Sequence, residues 1–151
     1  MSKPDVFLDS SALFAGIASA NGAARVLLVL AEAEMITVTV SEQVLAETER
    51  AVARKVPQGL REYRKALRHT RLHIVRDPSP QEVMAHDGDI IAHEADVPIV
   101  VAAVKADVGY LVTFNRRHFI DDPAVTTPSG LRIGAPGDAL VWVRQQLEAE
   151  G

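Results

Sequence analysis

Four polar residues stand where the chain is expected to pass between strands and helices. Asp9 follows the apolar run 6–8, and Asn115 follows the stretch 111–114. Asp96 precedes a helical pattern, and Glu47 lies at the edge of the apolar stripe of another helix. In open α/β sheets, ligands bind outside the carboxyl ends of the strands. Oxygen donors grouped there could bind a hard cation such as Mg²⁺ or Mn²⁺.

Each of these residues also has an ordinary structural interpretation. Asp9, or Ser10 beside it, could simply cap the following helix, and Asp96 could cap another. Glu47 could be an exposed helix acid paired with a basic neighbour, and Asn115 could be a turn residue. For any one of them alone, the ordinary interpretation is preferred. The presence of all four at such positions favours a polar cluster.

The elements that must position these residues alternate along the chain. Continuous apolar runs predict strands at 6–8 and 110–113, and alternating β-branched residues predict a strand at 36–40. Short strands are also predicted at 72–75 and 131–133. Apolar spacing predicts helices at 11–17, 23–33, 41–56, 60–67, 81–95 in pieces, 99–105 and 136–148. Pro57 is expected to end the third helix or to restart the chain as a new one. Strands alternating with helices predict an α/β three-layer sandwich with a central parallel sheet, formed by one domain over 1–151.

Composition excludes several classes of protein. The 151 residues are 48% hydrophobic, which is typical of a globular chain, and there is no cysteine to form disulfides or thiolate metal sites. No apolar run approaches the roughly 20 residues of a membrane span, and the N-terminus lacks the apolar core of a signal peptide. The cytoplasm is therefore the expected location. No glycine-rich nucleotide-binding motif is present, and Ser11 stands where a phosphoaspartyl phosphatase would need a second aspartate.

Charge is unevenly distributed along the chain. Residues 50–76, called the basic segment below, contain nine Lys or Arg residues and one acid, Glu62, so they carry +8. Since the net charge is -4, the rest of the chain carries -12. Such a segment could bind phosphate groups or an acidic protein, or it could be a solvated helix face. The sequence favours neither interpretation.

Four motifs together resemble the PIN domain, the nuclease fold of many VapC-like toxins of bacterial toxin–antitoxin pairs and of related ribonucleases. They are VFLDSSAL at 6–13, SEQVLAE at 41–47, DVPIVVAA at 96–103 and YLVTFNRRHF at 110–119. Each motif is weak alone, but their order and spacing are fairly specific. The usual fourth residue of the family is an aspartate, whereas this chain has Asn115, as does one branch of the family. His118 stands where an acid often precedes the phenylalanine.

The resemblance implies a metal-dependent endoribonuclease that hydrolyses RNA phosphodiester bonds as the toxin of a toxin–antitoxin pair. It implies that Asp9, Glu47 and Asp96 bind Mg²⁺ or Mn²⁺, and that Asn115 joins them as a catalytic residue. Because Asn115 removes one negative charge, we expect one firm metal site and a second that fills only alongside substrate. The chain could instead be a catalytically weakened PIN-like module that binds RNA or protein without cutting.

Other residues are expected to support this site. The hydroxyls of Ser11 and Thr113 are candidates to orient the carboxylates. Four arginines are candidates to bind RNA, namely Arg61, Arg64, Arg68 and Arg116. The expected partners are RNA, an antitoxin protein and a second copy of the chain, with no membrane.

Overall fold

Five parallel strands form the centre of the computed structural model, which describes residues 3–86, 96–115 and 131–150. The strands are β1 (Asp5–Leu8), β2 (Thr37–Ser41), β3 (His73–Val75), β4 (Tyr110–Val112) and β5 (Arg132–Gly134). Their order in the sheet is β3-β2-β1-β4-β5, so β1 is central. All four neighbouring pairs are parallel. This sheet confirms the predicted fold class.

Helices connect and flank the strands. They are α1 (Ser10–Ala18), α2 (Ala23–Glu32), α3 (Glu42–Lys55), α4 (Leu60–Thr70), α5 (Pro80–Met84), α6 (Val97–Lys105) and α7 (Pro136–Glu150). α1 packs against α2 and α3, and α2 packs against α7. Within the described ranges no single helix is long and apolar enough to cross a membrane, although α1 and α2 reach that length as a pair bent by 85°.

The central strand of the sheet is apolar on both faces. Val6, Phe7 and Leu8 of β1 are fully buried, as a parallel strand covered by helices on both sides must be. Thr39 is also fully buried in β2, and its hydroxyl donates a 2.8 Å hydrogen bond to Asp5 Oδ1. The continuous apolar runs in the sequence therefore reflect burial on both faces.

The predicted strands are all present, and their ends differ by no more than one residue. Pro57 ends α3 and opens a 3₁₀ turn over Pro57–Gly59, after which α4 begins, as expected from its missing N–H. The helix predicted at 81–95 begins as α5, capped by Ser79, and its portion 87–95 lies outside the described residues.

The first turns of α1 and α3 meet at one edge of the sheet. α1 begins two residues after the end of β1, and α3 begins directly after β2, the neighbour of β1. Ser41 ends β2 and caps α3, because its Oγ accepts a 3.3 Å hydrogen bond from the N–H of Val44. This carboxyl edge is where the sequence predicts the functional residues.

Replacing Leu111 by alanine should lower the free energy of unfolding by about 2–5 kcal/mol, since Leu111 is fully buried at the centre of β4. Ile74→Ala, which removes the same number of carbon atoms from an edge-strand side chain that is 53% exposed, is the matched control. Its effect should be within about 0.5 kcal/mol. Urea unfolding of both variants measures the difference, and equal losses would contradict this account of the core.

Candidate active site

Asp9 lies at the junction between the central strand and α1. Its backbone N–H donates to the carbonyl of Val112 (3.1 Å), which extends the β1–β4 pairing by one residue. Its side chain caps α1, since Oδ1 accepts a 3.0 Å hydrogen bond from the N–H of Ala12. The ordinary interpretation of Asp9 as a helix cap is therefore correct, but capping involves only one of its oxygens.

Two hydroxyls also bind the Asp9 carboxylate. Ser11 Oγ donates to Oδ1 at 2.7 Å, and Thr113 Oγ1 donates to Oδ2. The same hydroxyl oxygens accept backbone N–H bonds, Ser11 from Phe114 at 3.1 Å and Thr113 from Asn115 at 2.9 Å. These bonds fix the start of α1 to the segment after β4. Both hydroxyls contact Asp9 as expected, whereas the N–H bond from Phe114 to Ser11 had no signal in the sequence.

The Asp9 carboxylate is in an unfavourable environment for a negative charge. It is only 3% exposed, and burial raises the pKa of Asp9 above its ordinary value of 3.8. Hydrogen bonds from Thr113, Ser11 and Ala12 oppose that rise, while the nearby charge of Asp96 adds to it. Asp9 and Asp96, far apart in the sequence, are therefore close enough to repel each other at the carboxyl edge.

Asp96 occupies the N-cap position of α6, but its side chain makes no capping hydrogen bond to that helix among the residues described. The simple capping role considered for it is therefore not what the structure shows. Pro98 in the first turn of α6 suits a helix start, because proline has no N–H to satisfy there. Because the charge of Asp96 acts on Asp9, these two carboxylates are a candidate cation site.

Glu47 projects from α3 into a groove between α1 and α3, here called the α1–α3 groove. This groove has a volume of about 460 Å³ and is lined by Ser10, Ser11, Phe14, Glu47, Arg50, Ala51, Arg54 and Lys55. Glu47 is half-buried, and Gln43 Nε2 donates to its Oε2 at 3.4 Å. In the described part of the chain it forms no ion pair with Arg50 or Lys55. Glu47 thus shares a groove with the serines next to Asp9.

The three predicted ligands do not form a closed cluster in the described structure. Among residues 3–86, 96–115 and 131–150, no three acidic or histidine side chains are grouped closely enough to hold a metal ion. Asn115 is exposed, just after β4. Mg²⁺ in proteins is often bound by only one or two carboxylates, with waters and substrate phosphate as the other ligands. Asp9 and Asp96 are two carboxylates of the kind required, and their binding of an ion, with or without Glu47, stays a prediction.

The basic segment contains both paired and unpaired side chains. Three of its arginines bind acids from elsewhere in the chain: Arg64 with Glu49, Arg71 with Glu34 and Arg76 with Glu82. The candidate RNA ligands Arg61, Arg64 and Arg68 are exposed on α4, and none of them lines the α1–α3 groove. Arg116 lies outside the described residues. The interpretation as a solvated helix surface of mixed charge therefore explains only the paired arginines of the basic segment.

The sequence and the fold both match known proteins. A model of the PIN domain matches residues 5–117, a range that includes all four candidate site residues. Comparison with curated proteins finds no match. Among solved structures, VapBC2 from Rickettsia felis bound to a DNA fragment from its promoter is similar, with a TM-score of 0.61 and 19% identity. The match covers 87% of this chain and 98% of that one.

Two further structures share the fold. DNA-bound VapBC from Salmonella typhimurium has a TM-score of 0.59 and 17% identity, covering 90% of this chain and 99% of that one. VapC20 from Mycobacterium tuberculosis, a sarcin-ricin loop cleaving toxin, has a TM-score of 0.52 and 17% identity, covering 74% and 90%. At such identities the likeness concerns the fold, and it confirms the PIN-like architecture expected from the sequence.

Asp9→Asn should make the metal-free protein more stable at neutral pH, because a buried carboxyl with a raised pKa opposes folding when it is ionised. Below the ordinary pKa of 3.8 both side chains are neutral, so the gain should be absent. It should appear as the pH rises from 3.8 through the raised pKa of the folded state, and then stay constant.

Urea unfolding in EDTA at a series of pH values measures this gain. Glu148→Gln, which neutralises a carboxylate that is 72% exposed on α7, is the control and should show no such pH-dependent gain. A loss of stability in Asp9→Asn at neutral pH would mean that the hydrogen bonds to the carboxylate outweigh its burial.

Proposed function

Because the chain belongs to the PIN domain family, we propose that it is a metal-dependent endoribonuclease that hydrolyses RNA phosphodiester bonds. We further propose that it acts in the cytoplasm as the toxin of a toxin–antitoxin pair. The observation that carries this proposal is the buried carboxylate of Asp9, held by three hydrogen bonds beside a second carboxylate.

A structural role alone does not explain that carboxylate. Serine or asparagine caps a helix about as well as aspartate does, and neither carries a charge that must be desolvated. Placing Asp96 next to Asp9 adds repulsion to the desolvation. Ionisable groups kept in unfavourable surroundings at the end of a strand are common at functional sites. The arrangement favours a site that binds a cation and disfavours a simple helix cap.

The residues present suit a hard divalent cation. Asp9 and Asp96 would hold Mg²⁺ or Mn²⁺, with Glu47 as the expected third ligand from α3. A bound ion of this kind supplies an activated water and stabilises charge that develops on a phosphate. Ser11 and Thr113 hold the Asp9 carboxylate in one orientation, and Asn115 is placed by its N–H bond to Thr113. We expect one firm metal site and a second that fills only with substrate.

RNA must also overcome the negative charge of this edge. The exposed arginines Arg61, Arg64 and Arg68 on α4 would attract a polyanion over about 10 Å, the screening length at 0.1 M salt. Arg116 is proposed as a further RNA ligand.

The Rickettsia felis and Salmonella typhimurium structures are VapBC assemblies bound to DNA. By analogy, we propose that this chain binds an antitoxin. The homodimer expected from the sequence stays a separate proposal.

Purified protein should cleave single-stranded RNA in the presence of Mn²⁺ or Mg²⁺ and lose this activity in EDTA. Asp9→Asn should abolish cleavage, because it removes a ligand charge with little change in size. Gel analysis of end-labelled RNA measures cleavage, and thermal unfolding checks that the variant is folded. Equal cleavage by the variant would place the activity elsewhere. RNA binding without cleavage at any metal concentration would support the alternative, a catalytically weakened module that binds RNA. The absence of a three-carboxylate cluster in the described residues also favours that alternative.

Thr113→Val should weaken binding of Mn²⁺ about 10- to 100-fold, because it removes the hydroxyl that donates to Asp9 while keeping the shape of the side chain. Thr113→Ser keeps the hydroxyl and should retain most of the affinity. Calorimetric titration with Mn²⁺ compares the two variants. Equal affinities would show that this hydrogen bond does not position a ligand.

A further inference from the structure

The α1–α3 groove is lined at one end by Ser10 and Ser11, which follow Asp9 in the chain. α1 and α3 begin after neighbouring strands, so the groove between them opens at the carboxyl edge of the sheet. At that end its lining residues are Ser10, Ser11 and Glu47. Farther along the two helices it is lined by Phe14, Arg54 and other residues of α3. A polymer that passes Ser10 and Ser11 on leaving Asp9 would enter this groove.

Three cations line the outer part of this path. Glu47, Arg50 and Arg54 are spaced at three and four residues, which places them along one face of α3 over about 10 Å. Lys55 follows, and its Nζ lies 5.2 Å from the centre of the Phe14 ring. Arg50, Arg54 and Lys55 are all exposed. The lining therefore changes from acidic near Asp9 to basic farther out.

These cations differ from three other members of the basic segment. Arg64, Arg71 and Arg76 each bind a carboxylate of the chain itself. In the described ranges no acid forms an ion pair with Arg50, Arg54 or Lys55. Their charges are therefore available to a ligand, and they converge on one groove of about 460 Å³.

We propose that the α1–α3 groove binds the sugar–phosphate backbone of single-stranded RNA on one side of the bond to be cut. Arg50, Arg54 and Lys55 are the phosphate ligands. This inference rests on the proposed function, since it takes RNA as the polymer at the carboxylates. Neutralised phosphates supply most of the sequence-independent affinity for nucleic acids, and a positively charged groove that follows the backbone is the usual means.

The charge gradient favours RNA over an acidic peptide. Near Asp9 a substrate phosphate could share a cation with the carboxylates, whereas beyond Glu47 each phosphate needs a protein cation. The groove has an acidic residue at the end near Asp9 and cations farther out, which matches these two requirements. The arginines of α4 lie outside it, so their contribution to RNA binding acts over a longer distance.

Two triple variants with equal charge changes test the groove. Arg50→Gln/Arg54→Gln/Lys55→Gln changes the groove, and Arg61→Gln/Arg64→Gln/Arg68→Gln changes α4. Each is made in the Asp9→Asn protein so that RNA stays intact. Because both variants remove three positive charges, the long-range electrostatic field changes to a similar extent in each. A difference in RNA affinity between the two variants therefore reports close contacts between RNA and the side chains. Thermal unfolding checks that both variants are folded, as expected for exposed side chains.

The affinity for a short fluorescent oligouridine is measured across a range of salt concentrations. The groove variant should bind about tenfold more weakly, and the slope of log affinity against log salt should fall by about 2, since each lost contact to a single strand contributes about 0.7. The α4 variant should show a clearly smaller change in both. Equal effects, or a larger effect of the α4 variant, would overturn the proposal.

Cleavage by the same triple variants with Asp9 intact separates this inference from the proposed function. If the wild-type protein cleaves RNA and the groove variant does so with unchanged kcat/KM, the groove proposal fails and the function stands. If the wild-type protein does not cleave but the binding difference is found, the function fails and the groove remains an RNA site. Loss of binding to a poly-glutamate peptide with unchanged RNA affinity would reassign the groove to a protein partner.

Discussion

A carboxylate buried at the end of the central strand constrains much of this structure. Asp9 needs donors on both of its oxygens, and they come from two separate parts of the chain: Ser11 and Ala12 in α1, and Thr113 after β4. The register between β1 and β4, which pairs Leu8 with Val112, is what brings Thr113 to Asp9. A shift of one residue would direct the threonine side chain to the other face of the sheet.

The free energy of folding that offsets the cost of burying this charge comes from the rest of the sheet. The β1 residues next to Asp9 are completely buried among apolar helices, and β4 adds Leu111 and Val112 on one side. A core of this kind can carry a carboxylate that opposes folding. The stability of the fold and the chemistry of its edge are thus partly opposed, as is common where function requires a desolvated charge.

Sequence patterns predicted β1 and β4 well because strands buried on both faces have continuous apolar sequences, which can be recognised without knowing the neighbouring strands. The hydroxyls of Ser11 and Thr113 were predicted as candidates to orient the carboxylates of the site, and both donate to Asp9. Sequence patterns could not decide between helix capping and function for Asp9, because a carboxylate that caps α1 can also accept further bonds, here from Ser11 and Thr113. Nor could they separate Arg64, neutralised by Glu49, from Arg54 in the groove, since that difference depends on helix packing between residues distant in sequence.

The start of three helices at one edge has a consequence for its electrostatic potential. α1 begins directly after Asp9, α3 begins five residues before Glu47, and Asp96 is the N-cap residue of α6. Each helix carries roughly half a positive elementary charge at its first turn, from aligned peptide dipoles. The backbone therefore contributes a positive potential at the edge where the acidic side chains gather. Because that contribution does not belong to any side chain, it persists through every substitution that leaves the helices intact.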